Sequence, residues 1–218
     1  MSISDISLKR PITSYSKVVK FLSDLKRGRK LFIRKKRIKD KVLLNVGCGP
    51  LSREEFINLD YEWTPTIDIV WDFTKKPIPL PSESLEGIYT EHCLEHITLD
   101  ACLGTLKDFH RLLKPGGNVR IIVPDAQIYL DLYQARKTDP SIVLPYGEKE
   151  ATAAISINRI MRLHGHLFIY DAETMGYLLE KAGFRNIKKE SFSHGRDKRL
   201  LIDLEARKVE SLYMEATK

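Results

Sequence analysis

From residue 42 to the C-terminus, short apolar runs alternate with longer stretches of helical periodicity, and this alternation limits the fold more than any other feature. It is the pattern of an α/β domain built around a mostly parallel sheet. Residues 42–46 read as a buried first strand, 56–59 as a short second, 67–71 as a third and 86–90 as a fourth. A helix follows Thr98, buries Cys102, Leu103, Leu106, Phe109 and Leu113, and stops at Lys114-Pro115-Gly116-Gly117. Proline cannot continue a helix and glycine takes the turn. Residues 118–123 form a fifth strand, and 126–166 are helical in pattern with a break near Thr138-Asp139-Pro140. Asp171 caps another helix, which buries Met175, Leu178, Leu179 and Ala182 and ends at Gly183. Residues 187–192 and 211–216 are the last two strands, separated by a polar stretch.

A chain of 218 residues, 43% apolar, is long enough for one domain with its own core. No apolar run reaches the roughly 20 residues of a membrane span. No apolar stretch precedes a small-residue cleavage site near the N-terminus, which predicts a cytoplasmic protein. Three cysteines without ligand spacing argue against a disulfide framework or a structural zinc site. The net charge of +7 is unevenly placed: residues 1–41 hold 14 Lys+Arg and 3 Asp+Glu, so the remainder is mildly acidic. The chain divides into a basic arm, 1–41, and a domain, 42–218. Tyr15, Val18, Val19, Leu22 and Leu25 recur at helical spacing in the arm, with Lys17, Lys20, Lys26 and Arg27 elsewhere on the wheel. Such a segment suits packing on the domain or on a second copy with its charged face solvated, or an anionic membrane surface, for this protein the inner one, or an acidic partner; nucleic acid is the weaker reading. Nothing in the sequence speaks to oligomeric state.

The first strand runs into Gly47-Cys48-Gly49-Pro50. Glycines at a strand end permit close ligand approach, and in an open parallel sheet ligands bind at the carboxyl ends of the strands. Asp60 ends the second strand, where an acid accepts both hydroxyls of a ribose, and Asp72 ends the third, within reach of an adenine amino group. The third glycine of a dinucleotide fingerprint is absent and Pro50 removes a donor, so pyrophosphate binding is poorly supported. No GxxxxGK[ST] is present. The residues suit the grip on a nucleoside.

Leu44-Asn45-Val46-Gly47-Cys48-Gly49-Pro50, Asn58-Leu59-Asp60, Asp72-Phe73, His92-Cys93-Leu94-Glu95-His96-Ile97 and Leu112-Leu113-Lys114-Pro115-Gly116-Gly117 together resemble class I S-adenosylmethionine-dependent methyltransferases, nearest to the methyltransferase-11-like group. The resemblance implies a Rossmann-like sheet of seven strands, mostly parallel with the last antiparallel, and helices on both faces. It implies S-adenosyl-L-methionine as cofactor. Asn45, Gly47, Cys48 and Gly49 would line its methionine part, Asp60 and Tyr61 its ribose, Asp72 and Phe73 its adenine, and Thr90, Glu91 and His92 the sulfonium side. Asn45 stands where the family has an acid. Only about six residues separate the glycines from the second strand, against the dozen or more of a full crossover helix. Either the first helix is curtailed or the second strand begins later.

Methyl transfer is an in-line displacement that depends on near-attack geometry, and a hydroxyl acceptor also benefits from a base. The candidates are His92 first, then His96, His164, His166 and Asp125. His110, mid-helix, reads as structural. The slot after the fourth strand lacks the [DNS]PP[YF] of enzymes that methylate base amines, and no cysteine has the setting of a cytosine-C5 nucleophile. Asp197, Asp203 and Glu205 lack a ligand spacing, so no metal is expected. The stretch from Asp203 to Ala216 resembles the C-terminal strand of bacterial methyltransferases found with glycan biosynthesis. The expected activity is methyl transfer to a hydroxyl of a small molecule, a saccharide or lipid-linked glycan, with residues 126–166 covering the acceptor. The alternatives are an RNA-directed methyltransferase using the arm and a catalytically silent binding protein.

Overall fold

The computed structural model describes residues 17–145 and 152–218. The expectations for residues 1–16, Tyr15 included, and for 146–151 of the acceptor cover lie outside the described residues. Seven strands, β1 (Leu43–Val46), β2 (Phe56–Asp60), β3 (Ile69–Val70), β4 (Leu85–Glu91), β5 (Leu113–Pro124), β6 (Arg185–Glu190) and β7 (Ser211–Thr217), form one sheet in the order β3-β2-β1-β4-β5-β7-β6. The pairs from β3 through β5 are parallel, and β7 runs antiparallel to both β5 and β6. The chain leaves β1 toward β2 on one side and returns to β4 on the other, so a crevice opens at the carboxyl ends of β1 and β4.

One face of the sheet is covered by α3 (Leu99–Leu112) and α6 (Ala172–Lys181). Cys102, Leu106 and Phe109 of α3 and Met175, Leu178 and Leu179 of α6 pack with Leu44, Val46, Ile88 and Ile121. Thr98 and Asp171 cap these helices by accepting from the Ala101 and Thr174 amides. The strand residues that alternate with these, Leu43, Tyr89, Ile122 and Tyr213, face the other way. They pack with Phe56 beneath Leu200, Phe192 and Ile202 of the β6–β7 connection, so the central strands are buried on both sides.

The strands fall near the predicted segments, with one informative difference. Lys114-Pro115-Gly116-Gly117 lies within β5, entered across a register shift between Leu85 and Gly87. Gly116 N–H donates to the Lys218 carbonyl, and Lys218 N–H returns a bond to Gly117, so the turn signal also extends the sheet. The short β1–β2 link contains no helix. Asn45 Nδ2 donates to the Leu51 carbonyl, while Asn58 accepts from Arg53 N–H and donates to its carbonyl. Two asparagines therefore hold in place a loop that would otherwise need a helix.

The arm packs on the domain. Gly28 N–H bonds to the Val70 carbonyl and Arg34 N–H to that of Asp68, covering the open edge of β3. Beyond α1 (Lys17–Lys26) lie a 3-10 turn, Lys30–Phe32, and a single α-helical turn, α2 (Lys35–Ile38), where Arg37 Nε reaches buried Asp68 at 3.2 Å. On the opposite half, α4 (Ala126–Thr138) and α5 (Ala153–Arg162) follow β5, separated near Asp139 as predicted.

Arg120 of β5 is fully buried on the face beneath the β6–β7 connection. Its Nε donates to Asp203 Oδ1 at 2.8 Å and a terminal nitrogen reaches Oδ2; the other bonds to Glu215 Oε1 at 2.9 Å, its neighbour across the strands. The carbonyls of Ser191 and His194 accept the remaining donors. Replacing Arg120 with Met strands two buried carboxylates, and it is expected to lower stability by about 3–5 kcal/mol in urea unfolding.

Candidate functional site

A cavity of about 1370 Å³ opens at the carboxyl ends of β1, β2 and β4. Its first half is the glycine turn. Gly47 has φ +68°, and a Cβ there would collide with the Cys93 sulfur and come within 2.7 Å of its Cβ. Gly49 has φ +51° with nothing within 4 Å of a Cβ position, so its constraint is conformational. Asp60 Oδ2 accepts from Gly49 N–H at 2.7 Å and Oδ1 from Glu62 N–H at 2.8 Å. Burial raises its pKa against these two donors. Each oxygen keeps a further acceptor lone pair, so the residue that closes the turn can also take a diol.

Tyr61, next in the chain, carries the arm: the Arg27 guanidinium lies 3.5 Å from its ring centroid, and Arg27 Nε donates to its carbonyl. Ser23 of α1 accepts from Trp63 N–H, and Lys26 sits over the Trp63 ring. Lys20 reaches the cavity wall. Asp72 accepts from Thr74 and pairs with Lys75 at 3.1 Å. Burial pushes its carboxyl upward, but these bonds outweigh it and hold the pKa below the usual range. Asn45, Cys48, Phe73 and Glu91 also line the cavity, whereas Thr90 is fully buried outside the wall. Burial pushes the Cys48 and Cys93 thiols well up, which leaves both as inert packing groups.

The second half is a cluster of imidazoles. His92 follows β4 directly with φ +48°, and its Nε2 lies 2.8 Å from Ser211 Oγ while Nδ1 faces Glu95 Oε1 at 3.5 Å. Both ring nitrogens of the first-choice base are thus turned to protein groups. His96 and His166 meet edge to face at 4.9 Å between ring centroids, and His164 lies 6.0 Å from His166. Burial pushes His96 down to about 4 and His92 to about 2, and lowers His164 and His166 as well, which favours the neutral form of each ring. Glu95 is fully buried, and burial pushes its carboxyl up to about 8. The Glu95 carbonyl accepts from the amides of Leu167 and Phe168, which stitches the turn after β4 to the segment carrying His166.

Asp125 stands apart from the other candidate bases. It caps α4 by accepting from Gln127 N–H, pairs with Lys189 at 3.0 Å, and does not line the cavity. His110 packs against the Phe184 ring. Asp203, weighed as a metal acid, is committed to Arg120, and Glu205 is exposed. No metal was expected, yet the fold brings donor atoms of Glu95, His96 and His166 within 4.8 Å of one another. Sequence reasoning missed Glu95, although His92, Glu95 and His96 at HxxEH spacing were its signal. It also missed the outer wall, formed by Ile202, Leu204, Arg207 and Glu210 with Tyr129, whose hydroxyl donates to Glu210 at 2.8 Å.

The two glycines predict different penalties. Gly47→Ala adds overpacking against Cys93 to left-handed strain and is expected to cost at least about 2 kcal/mol. Gly49→Ala meets open space and is expected to cost only the strain, about 1–2 kcal/mol. Thermal unfolding of the two variants measures the difference.

A family model for a methyltransferase domain matches residues 18–189. Among solved structures, an S-adenosylmethionine-dependent methyltransferase from Archaeoglobus fulgidus aligns with a TM-score of 0.51 at 17% identity, over 90% of this chain and 94% of its own. A Thermotoga maritima S-adenosylmethionine-dependent methyltransferase, described as a possible histamine N-methyltransferase, gives 0.51 at 15% identity, over 91% and 92%. Both likenesses are of fold. No curated protein matches the sequence. The family match, which begins within α1 and runs through β6, covers the glycine turn, both strand-end acids and the imidazole cluster: the chain belongs to the methyltransferase-domain family, class I, with S-adenosyl-L-methionine as its cofactor.

Proposed function

We propose that the protein transfers a methyl group from S-adenosyl-L-methionine to a hydroxyl of a saccharide or lipid-linked glycan. The observation that carries this reading is the composition of one continuous wall. The glycine turn and Asp60 at one end face the same cavity as His164, Arg159, Arg207, Glu210 and Tyr129 at the other. Paired donors and acceptors of this kind suit a polyhydroxylated acceptor.

His164 is the general base in this scheme. It is exposed at the cavity lip, its backbone sits at φ +61°, and such backbone positions cluster at functional sites. Asp60 holds the ribose, Asp72 and Phe73 meet the adenine, and Glu91, bonded to Tyr89 and to Leu204 N–H, fixes the outer wall beside the methyl. His92 acts as a positioning residue through Ser211.

The arm supports a place for this reaction at an anionic membrane on the cytoplasmic side. Val18, Phe21 and Leu25 form an outward stripe on α1 and Leu31 is 87% exposed, all beside Lys17, Lys20, Lys30 and Lys35. No described helix is long and apolar enough to cross a membrane.

Incubation with labelled cofactor and a panel of glycan, lipid-linked and RNA acceptors is expected to label the first two classes; label only in RNA would overturn the assignment. His164→Ala is expected to lower turnover by about 10²-fold or more while S-adenosylhomocysteine still binds in calorimetry, whereas Asp60→Ala abolishes that binding. Sedimentation with phosphatidylglycerol vesicles is expected to retain the full chain at low salt and release it at high salt. Equal binding to phosphatidylcholine vesicles would remove the electrostatic role of the arm.

A further inference from the structure

Neither carboxylate oxygen of buried Glu95 has a hydrogen-bond partner. Around Oε1 stand three ring nitrogens, His92 Nδ1 at 3.5 Å, His96 Nε2 at 3.8 Å and His166 Nε2 at 3.9 Å. The proton positions on two of the rings follow from what their other nitrogens touch. His166 Nδ1 lies 2.6 Å from the Ile160 carbonyl, which only accepts, so Nδ1 bears the proton and Nε2 offers a lone pair. Ser211 Oγ donates to the Arg207 carbonyl at 2.7 Å and therefore accepts from His92 Nε2–H, which leaves His92 Nδ1 bare as well. The His92 and His166 lone pairs therefore face the carboxylate with no donor from either ring, and a buried group of that kind is stable only around a cation or a proton.

We propose that Glu95, His96 and His166 bind a divalent transition-metal ion, of which Zn²⁺ is the reference case. Imidazole nitrogens with one carboxylate are the donor set such ions take. Ligands bonded at about 2.0–2.1 Å in a tetrahedron stand about 3.4 Å apart. The separations of 3.8 and 3.9 Å from Glu95 exceed this by about half an ångström, and the donor atoms together lie within 4.8 Å, so binding draws the two imidazoles toward one another by side-chain adjustment. The bond from His166 Nδ1–H to the Ile160 carbonyl is the outer contact that metal-ligating histidines make, fixing tautomer and ring orientation. The backbone bonds from Leu167 and Phe168 to Glu95 hold the two ligand-bearing segments together whether or not a metal is bound.

All three ligands also line the cavity. Three protein ligands and an open position toward solvent describe a catalytic rather than a structural site. The next step rests on the methyl-transfer reading above, whereas the metal binding does not. An acceptor hydroxyl in the open position would be acidified by the ion. Its proton passes to His164, and its oxygen lone pair forms the new O–C bond to the methyl carbon. The C–S bond breaks with its electron pair going to sulfur, which gives the methyl ether and S-adenosylhomocysteine. The metal keeps its charge throughout.

The test is uptake of Co²⁺, then Zn²⁺, by full-length protein stripped with a chelator, followed by visible absorption for Co²⁺ and by elemental analysis for both. One equivalent per chain is expected, with the intense visible bands of a low-coordinate cobalt site. Glu95→Gln and the double variant His96→Ala/His166→Ala are expected to lose it, while His194→Ala, at a surface position, retains it. Titration with S-adenosylhomocysteine in the same samples reports folding and separates the two readings. Cofactor binding without metal uptake by the unaltered protein overturns the metal site alone. Metal uptake without cofactor binding supports the site and removes the methyltransferase reading. Uptake that survives in the folded double variant places the ion elsewhere and overturns the assignment.

Discussion

The buried guanidinium of Arg120 is the contact on which the rest of the architecture leans. It donates to Asp203, Glu215 and the carbonyls of Ser191 and His194, so one side chain ties two adjacent strands to both ends of the β6–β7 connection. That connection covers a sheet face which the short β1–β2 link leaves without a crossover helix. The planar fork of Arg suits this work, since a Lys ammonium could not meet two carboxylates and two carbonyls in one plane. The same segment continues to Leu204, Arg207 and Glu210, so the ion network that completes the core also sets the outer wall of the cavity. Core completion and the shape of the cavity's outer wall are therefore mechanically linked in this protein.

A second economy operates at the glycine turn. In a full crossover, a helix N-terminus would follow the first strand and its amides would supply donors. Here the link is a loop, and Asp60 braces it instead by accepting from Gly49 N–H and Glu62 N–H at once. The arm then closes the same corner from outside, through Arg27 on Tyr61 and Ser23 on Trp63 N–H. The basic residues 17–38 are thus in part structural. Their charge is spent on the Tyr61–Trp63 turn, on Asp68 and on the Pro65 carbonyl, which Arg34 bonds at 2.6 Å.

The strand–helix alternation, the glycine turn and the strand-end acids were legible because each is a local pattern: periodicity, a φ > 0 requirement, a carboxylate at a strand end. The curtailed first helix was half legible, since the six-residue link ruled out a full crossover but could not say what replaced it; the answer lies in Asn45 and Asn58. Glu95 was hidden because its significance depends on His166, about seventy residues on, and on complete burial. Arg120 read only as one residue in the fifth strand, because nothing local marks a charge whose partners are Asp203 and Glu215. The place of His92 directly after β4 points to a base, and that same place is what turns its ring toward Ser211.

The two halves of the cavity are joined by a contact that involves no polar group. The space a side chain would need at Gly47 is filled by Cys93, which follows His92 and stands two residues before Glu95. His92 adopts φ +48°, and this left-handed turn after β4 swings Cys93 against the glycine turn while carrying Glu95 into the interior. The position of the glycine turn and the position of the imidazole–carboxylate cluster are thereby set by one packed contact between the Gly47 backbone and the Cys93 side chain rather than by two independent loops. Methyl transfer depends on alignment to within a fraction of an ångström. A contact of bare backbone and a small thiol, too crowded to slide, is a sound way for a sheet without its first crossover helix to secure that alignment.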